Sequence, residues 1–237
     1  RDRSPSRGLG DVYKRQLQNR LSRQFCESAA KQRRKTLTAE QSQRLLDATR
    51  GTRAYLFCLL ALQTGMRRGE LCGLMWSDVD FPAGVIHVRH NALLTNAQTT
   101  VSDTLKTSAA VRDIPIPPTL FAELVKERKG AKSLYVLHMR NGKPLSKSSF
   151  KSMRQTIESR TVDDPADLWT TAPHSKVVRT LDFHVHPHQL RHTYITRLFE
   201  SGLDIKEIQY LAGHATVNMT LRVYTHYQHE SLSLIHI

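Results

Sequence analysis

His188-Gln189-Leu190-Arg191-His192, Leu211-Ala212-Gly213-His214 and Tyr224-Thr225-His226 lie close together near the end of the chain, and the rest of the sequence makes sense around them. If the residues after Pro187 are helical, His188 and Arg191 stand three apart and share a face. Leu190, Tyr194, Ile195 and Leu198 then form an apolar set. Such a helix is expected to show a cation and an imidazole to one side and to pack on the other. Gly202 stops it, Asp204 can cap a second helix carrying Ile205, Ile208 and Leu211, and Gly213 ends that helix directly before His214. A third short helix from about Thr216 places Tyr224 on the stripe of Val217 and Thr220.

Working outward, Thr38 and Gln41 make a capping box for a helix carrying Leu45 and Leu46. The apolar run Ala54 to Leu62 reads as a helix buried in the core, broken by Thr64-Gly65. Met66-Arg67-Arg68-Gly69-Glu70-Leu71 follows. Positive charge at a helix start is mildly unfavourable against the dipole, so Arg67 and Arg68 are either a solvated pair or compensated by Glu70 or an anionic ligand. Between Gly84 and Pro117 the pattern changes to period two. Val85 to Val88, Thr104 to Lys106 and Val111 to Ile116 read as a small antiparallel sheet, with a turn-prone polar segment after Val88 and Lys106 at or near a hairpin turn. Pro117-Pro118 can open a helix through Leu120, Phe121, Leu124 and Val125. Leu134 to Leu137 reads as a short strand, Asn141-Gly142 as a turn and Ser146 to Ile157 as a helix. Residues 160 to 180 are polar and read as irregular, with Trp169 a packing anchor.

His188-x-x-Arg191-His192, Leu211-x-Gly213-His214 and Tyr224-Thr225-His226, in that order and spacing, resemble the catalytic half of tyrosine recombinases, the phage-type integrases that cut and rejoin DNA. Thr64-Gly65-x-Arg67-x-x-Glu70-Leu71 resembles the first arginine box of that family. Lys106-Thr107-x-x-x-x-Arg112 followed by Ile114-Pro115 resembles its β-hairpin with the catalytic lysine. The resemblance implies a mainly α-helical (α+β) catalytic domain with a small antiparallel sheet over residues 36 to 228. It also implies catalytic Arg67, Lys106, His188, Arg191, His214 and Tyr224, supported by Glu70 and His192, with Arg67, Lys106 and Arg191 on the DNA. Implied partners are double-stranded DNA attachment sites, a homotetramer on DNA in the complete protein and an accessory directionality factor. No metal, nucleotide or other cofactor is implied. The expected setting is the cytoplasm of a bacterium, with a bacterial or phage-encoded protein on the nucleoid as part of a mobile element.

Composition agrees with such a partner. The formal net charge is +14 over 237 residues, and 39% hydrophobic residues suffice for a core. Residues 1 to 35 hold 11 Lys/Arg against 3 Asp/Glu, and residues 36 to 237 hold 24 against 18. Basicity is therefore concentrated ahead of the folded part, as suits contact with phosphates; a merely solubilising surface is the competing explanation. Cys26, Cys58 and Cys72 show no Cys-x-x-Cys spacing, so neither a disulfide framework nor a zinc ribbon is indicated, and Cys58 is expected to pack. The absence of a signal-peptide pattern and of an apolar run of about 18 residues points to a soluble intracellular protein without a membrane partner. No phosphate-binding glycine loop supports nucleotide hydrolysis. Residues 1 to 16 and Ser231 to Ile237 resemble translated adapter sequence and are expected to be non-native. Residues 17 to 35 are read as the remnant of a core-binding domain with a basic linker, and 229 to 237 as a C-terminal tail.

The chemistry demanded of the candidates is specific. Attack on a phosphodiester spreads negative charge over the non-bridging oxygens, so fixed cations and donors are needed there. Arg67 and Arg191 supply planar forks that stay charged. Tyr224 can hold the phosphoryl group as a covalent ester, storing bond energy without ATP. His188 is the expected general base, Lys106 the expected proton donor to the leaving 5′-oxygen and His214 the expected hydrogen-bond donor to a phosphate oxygen, the same roles that the resemblance implies. Tyr210 and Tyr227 are competing phenols, and His192 and His226 can be structural instead. His184-x-His186-x-His188 admits a zinc reading if strand-like, which makes a metal-dependent nuclease one rival and a non-catalytic DNA-binding fragment another.

Overall fold

The computed structural model describes residues 36–95, 99–103, 108–163, 175–179, 181–221 and 223. Lys106, Trp169, Tyr224, His226, Tyr227 and Cys26, with the expectations attached to them and to residues 1 to 35, lie outside the described residues.

Helix α1 (Ala39–Thr49) starts where the capping box places it: Gln41 N donates to Thr38 Oγ1 and Thr38 N to Gln41 Oε1, both at 3.1 Å. Helix α2 (Arg53–Thr64) is buried along nearly its whole length, as its unbroken apolar run requires, and ends at Gly65 with φ 59°. The short α3 (Arg68–Gly73) follows two residues later, with Arg67 at its N-cap. Strands β1 (Val79–Asp80), β2 (Val85–Val88) and β5 (Arg112–Pro115) form an antiparallel sheet in the order β1-β2-β5, with Ile86 opposite Ile114. Between them, β3 (Asn91–Leu94) and β4 (Thr99–Ser102) pair as a separate antiparallel hairpin. The segment after Val88 is thus not merely a turn-prone connection. It lies on α3, where Gly69 and Gly73 leave room: a Cβ on Gly69 would stand 2.2 Å from Asn91 Oδ1, and one on Gly73 2.9 Å from Ala92 N.

Helix α4 (Pro118–Lys129) opens with proline at its first position and buries Leu120 and Leu124. Residues 134 to 138 make isolated bridges, Met75 to Tyr135 and His138 to Pro144, in place of the expected strand. Gly142, φ 76°, makes the turn that Asn141-Gly142 signals. Helix α5 (Lys147–Glu158) is capped by Ser146 Oγ, which accepts from Ser149 N at 3.1 Å. Residues expected to be irregular include β6 (Ser159–Asp163) and β7 (Ser175–Arg179), paired antiparallel. No apolar alternation in the sequence announces these strands, and pairing supplies order that local pattern does not.

Helix α6 (Pro187–Glu200) and helix α7 (Ile205–Ala212) complete the frame, and residues 217 to 221 are helical. Leu190 belongs to the main core with Leu45, Phe57, Leu60, Leu71, Ile86, Ile114, Leu120 and Leu124. Tyr194 and Ile195 join Ile208 and Ala212 in a second cluster. Helix α6 therefore bridges both clusters, and Thr193 Oγ1 accepts from Leu37 N at 3.0 Å to tie the first described residues to it. Cys58 and Cys72 are free and buried, and desolvation lifts both thiols to about 12. Among the described residues no helix is long and apolar enough to cross a membrane.

Candidate functional site

Two helix ends build the site. An α-helix leaves its last carbonyls without intrahelical partners and carries partial negative charge there. Helix α2 ends at Gly65 and α7 at Gly213, both left-handed, with φ 59° and 61°. Guanidinium groups occupy the carbonyls so exposed. Arg191 Nη1 donates to Gly65 O at 2.6 Å and Nη2 to Ala212 O. Arg67 Nη2 donates to Gly213 O at 2.5 Å, and Arg112 Nε to Leu211 O at 2.9 Å. Three successive carbonyls at the end of α7 thus receive three different arginines.

Glu70 lies beneath them with 2% of its side chain exposed. Its Oε1 accepts from Arg67 Nη1 at 2.7 Å, while Oε2 accepts from Arg67 N at 2.8 Å and Arg112 Nη2 at 2.9 Å. Of the explanations open for Arg67, compensation by Glu70 is present in the geometry. Burial alone would raise the Glu70 carboxyl, but Arg112 and then Arg67 outweigh it and hold the group at about 2. One carboxylate faces three guanidiniums, so the cluster is short of negative charge. Arg68 turns away and stacks over the Phe150 ring at 5.6 Å.

Arg191 does not stand on an open face beside His188, as the three-residue spacing suggested. It is buried, 3% exposed, whereas His188 is exposed. The difference arises because α6 packs on more than one side, and Gly65 and Ala212 carbonyls draw the guanidinium inward. Burial, followed by the nearby Arg67, lowers Arg191 to about 9, which leaves it charged at neutral pH. Arg67 is the more open of the two, with 36% of its side chain exposed.

His214 follows Gly213 and is 7% exposed, its Nδ1 sharing a 3.0 Å hydrogen bond with Thr220 Oγ1. Gln209 holds the turn from both sides: its O accepts from His214 N at 3.0 Å and its Nε2 donates to His214 O at 3.1 Å. Desolvation, with Arg191 and Arg67 next, pushes the imidazole down to about 4, so it is neutral at pH 7. His192, the other candidate support, also acts on His214, and its ring meets His188 edge to face at 4.8 Å. Thus Arg67, Glu70, Arg191, His192 and His214 are brought together, and His188 adjoins them through His192. Tyr210, the competing phenol, accepts at Oη from Asp113 N at 3.0 Å.

Residues 184 to 186 are not strand and Pro187 begins α6, so the alternation required by a zinc reading of His184, His186 and His188 does not exist. Among the described residues no group of three or more His, Cys, Asp or Glu side chains is gathered to hold a metal. Arg112 is the member that motif reading left as the end of a strand signature. Its signal was an arginine at an inward position of a short strand, between Val111 and Ile114, where a buried cation demands a buried partner.

Residues 35–231 match the phage integrase family. The tyrosine recombinase XerC-like protein of Caldanaerobacter subterraneus subsp. tengcongensis is 28% identical over 200 residues, covering 81% of this chain and 50% of the relative. The transposase from transposon Tn916 of Enterococcus faecalis is 26% identical over 204 residues, covering 80% of this chain and 47% of the relative. Among solved structures, the Tn1549 transposon integrase in complex with transposon right end DNA superposes with a TM-score of 0.63 at 28% identity, over 82% of this chain and 62% of that one. The chain spans about half the length of the relatives it matches.

Proposed function

We propose that this chain, which belongs to the phage integrase family, is the catalytic part of a site-specific DNA recombinase working through a covalent 3′-phosphotyrosyl link. The observation that carries the reading is the convergence of Arg67, from the N-cap of α3, and Arg191, from α6, on the adjoining carbonyls of Gly213 and Ala212 beside His214. A cluster with three guanidiniums and one carboxylate favours an anion arriving from outside, and a scissile phosphate is such an anion.

In the proposed reaction the Tyr224 oxygen attacks phosphorus while the bond to the 5′-oxygen breaks. His188 takes the phenolic proton and Lys106 gives one to the leaving oxygen. Arg67, through its exposed edge, and Arg191, through the N–H groups its carbonyl bonds leave over, balance the charge that grows on the non-bridging oxygens. His214, neutral at pH 7, can donate one hydrogen bond there. A 5′-hydroxyl from the partner strand then displaces the tyrosine by the reverse route, so bonds made equal bonds broken and no ATP is consumed. The assignments of Lys106 and Tyr224 rest on their sequence context.

The proposed partners are double-stranded DNA attachment sites, bound by a homotetramer in the complete protein with an accessory directionality factor. The proposed setting is the cytoplasm, on the nucleoid. A nicked suicide substrate, incubated with the wild type and Tyr224→Phe, tests the reading. A covalent protein–DNA adduct is expected with the wild type alone. An adduct that persists in Tyr224→Phe, or chelator-sensitive cleavage without one, overturns it.

A further inference from the structure

We propose that Arg112 is a positioning residue for the site: it joins Glu70 to the last turn of α7, so that the carboxylate and carbonyls that orient Arg67 and Arg191 share one frame. Its effect on catalysis rests on the recombinase reading, whereas its structural effect does not.

Arg112 does not reach DNA itself. None of its side chain is exposed, and Nε, Nη1 and Nη2 each donate inside the protein, to Leu211 O, Ala110 O and Glu70 Oε2, all at 2.9 Å. Those acceptors come from three parts of the chain: two residues away, 42 away and 99 away. Only a planar fork with donors in several fixed directions can hold all three at once. Lysine at this position would supply the charge without the geometry.

Gly213 shows that the contact is built in. A Cβ there would stand 2.7 Å from Arg112 Nη1 and 3.0 Å from Cζ, so the end of α7 settles directly on the guanidinium. That seating sets where the carbonyls of Ala212 and Gly213 lie, and these are the acceptors for Arg191 and Arg67. From the other side, Arg112 shares Glu70 with Arg67. Without it, a carboxylate 2% exposed would accept hydrogen bonds from the half-open Arg67 alone, which favours movement of both. Arg112 thus grips both arginines indirectly, Arg67 through Glu70 and Gly213, Arg191 through the turn that carries Ala212.

The test uses the full chain with 15N-labelled arginine. In a Tyr224→Phe background, where no reaction intervenes, the guanidinium N–H groups of Arg67 and Arg191 are followed by NMR with Arg112 intact and in Arg112→Lys. Faster hydrogen exchange at both, by about tenfold or more, is the expected result. In parallel, with Tyr224 present, adduct formation on the suicide substrate should slow by about a hundredfold, while DNA affinity changes much less. Unchanged exchange at Arg67 and Arg191 in Arg112→Lys overturns the proposal, and so does an equal loss of affinity and rate. If Arg112→Lys does not fold, Gly213→Ala keeps Arg112 and displaces its guanidinium; unchanged exchange at Arg67 and Arg191 in that variant is equally fatal. Accelerated exchange together with a wild type that forms no adduct would sink the recombinase reading and leave the positioning role standing.

Discussion

Four described helices run into a glycine with positive φ, and the four differ in what lies over the missing Cβ. Gly51 after α1 and Gly202 after α6 have nothing within 4 Å of that position. At Gly65 after α2 a Cβ would meet the Tyr194 ring at 2.2 Å, and at Gly213 after α7 it would meet Arg112 at 2.7 Å. All four supply a left-handed residue, three of them where a helix stops and Gly51 in the turn after Arg50 has already ended α1. Only two also admit a neighbour from far along the chain, and those are the two whose helix ends present carbonyls to the arginines. A glycine stop is therefore common to both regions, and close approach over the glycine marks the site.

Alanine substitutions can break this comparison. Gly65→Ala should be the most damaging, because left-handed strain adds to overlap with a ring that cannot retreat into a packed core; the two together are about 3 kcal/mol in chemical denaturation. Gly213→Ala should cost about 2 kcal/mol, since a guanidinium yields more readily than a ring, yet it should slow adduct formation as strongly. Gly202→Ala should lose about 1 kcal/mol from strain alone and leave adduct formation unchanged. Equal losses at Gly65 and Gly202 would show that the close contact adds nothing.

Acid sharpens the same contrast more gradually. His214 is held at about 4, below the ordinary 6.5, so the unfolded chain takes up this proton first and stability falls as pH drops from about 6.5 through 4. Glu70, at about 2 against 4.5, keeps its contribution above about 4.5 and loses it progressively as pH falls from there through about 2. Melting temperature against pH should therefore decline in two stages, with His214→Gln flattening the first and sparing the second. A single transition unaffected by that substitution would contradict the burial of His214 among cations.

Much of the frame was legible because its signals are local. Thr38 with Gln41, Asp204, Pro118, Ser146 and the glycines after α2 and α7 bound helices where capping chemistry predicts. The two hairpins were not. Asn91 to Leu94 gains its place from the smooth surface of Gly69 and Gly73, and β6 and β7 gain theirs from each other, so neither carries its order in its own pattern. Among the candidate residues, Arg67 and Glu70 were legible as a pair three apart in sequence. Arg112 was not, because its acceptors include residues 42 and 99 positions away.

By itself the sequence determined where helices begin and end and which side chains are chemically able to handle a phosphate, since caps, periodicity and residue type act within a few positions. Tertiary structure alone decided that Arg67 stays partly open while Arg191 and Arg112 are sealed, and that backbone carbonyls at two helix ends share these guanidiniums with a single carboxylate. Burial and partner choice depend on which distant segments pack together, and no spacing along the chain encodes that directly.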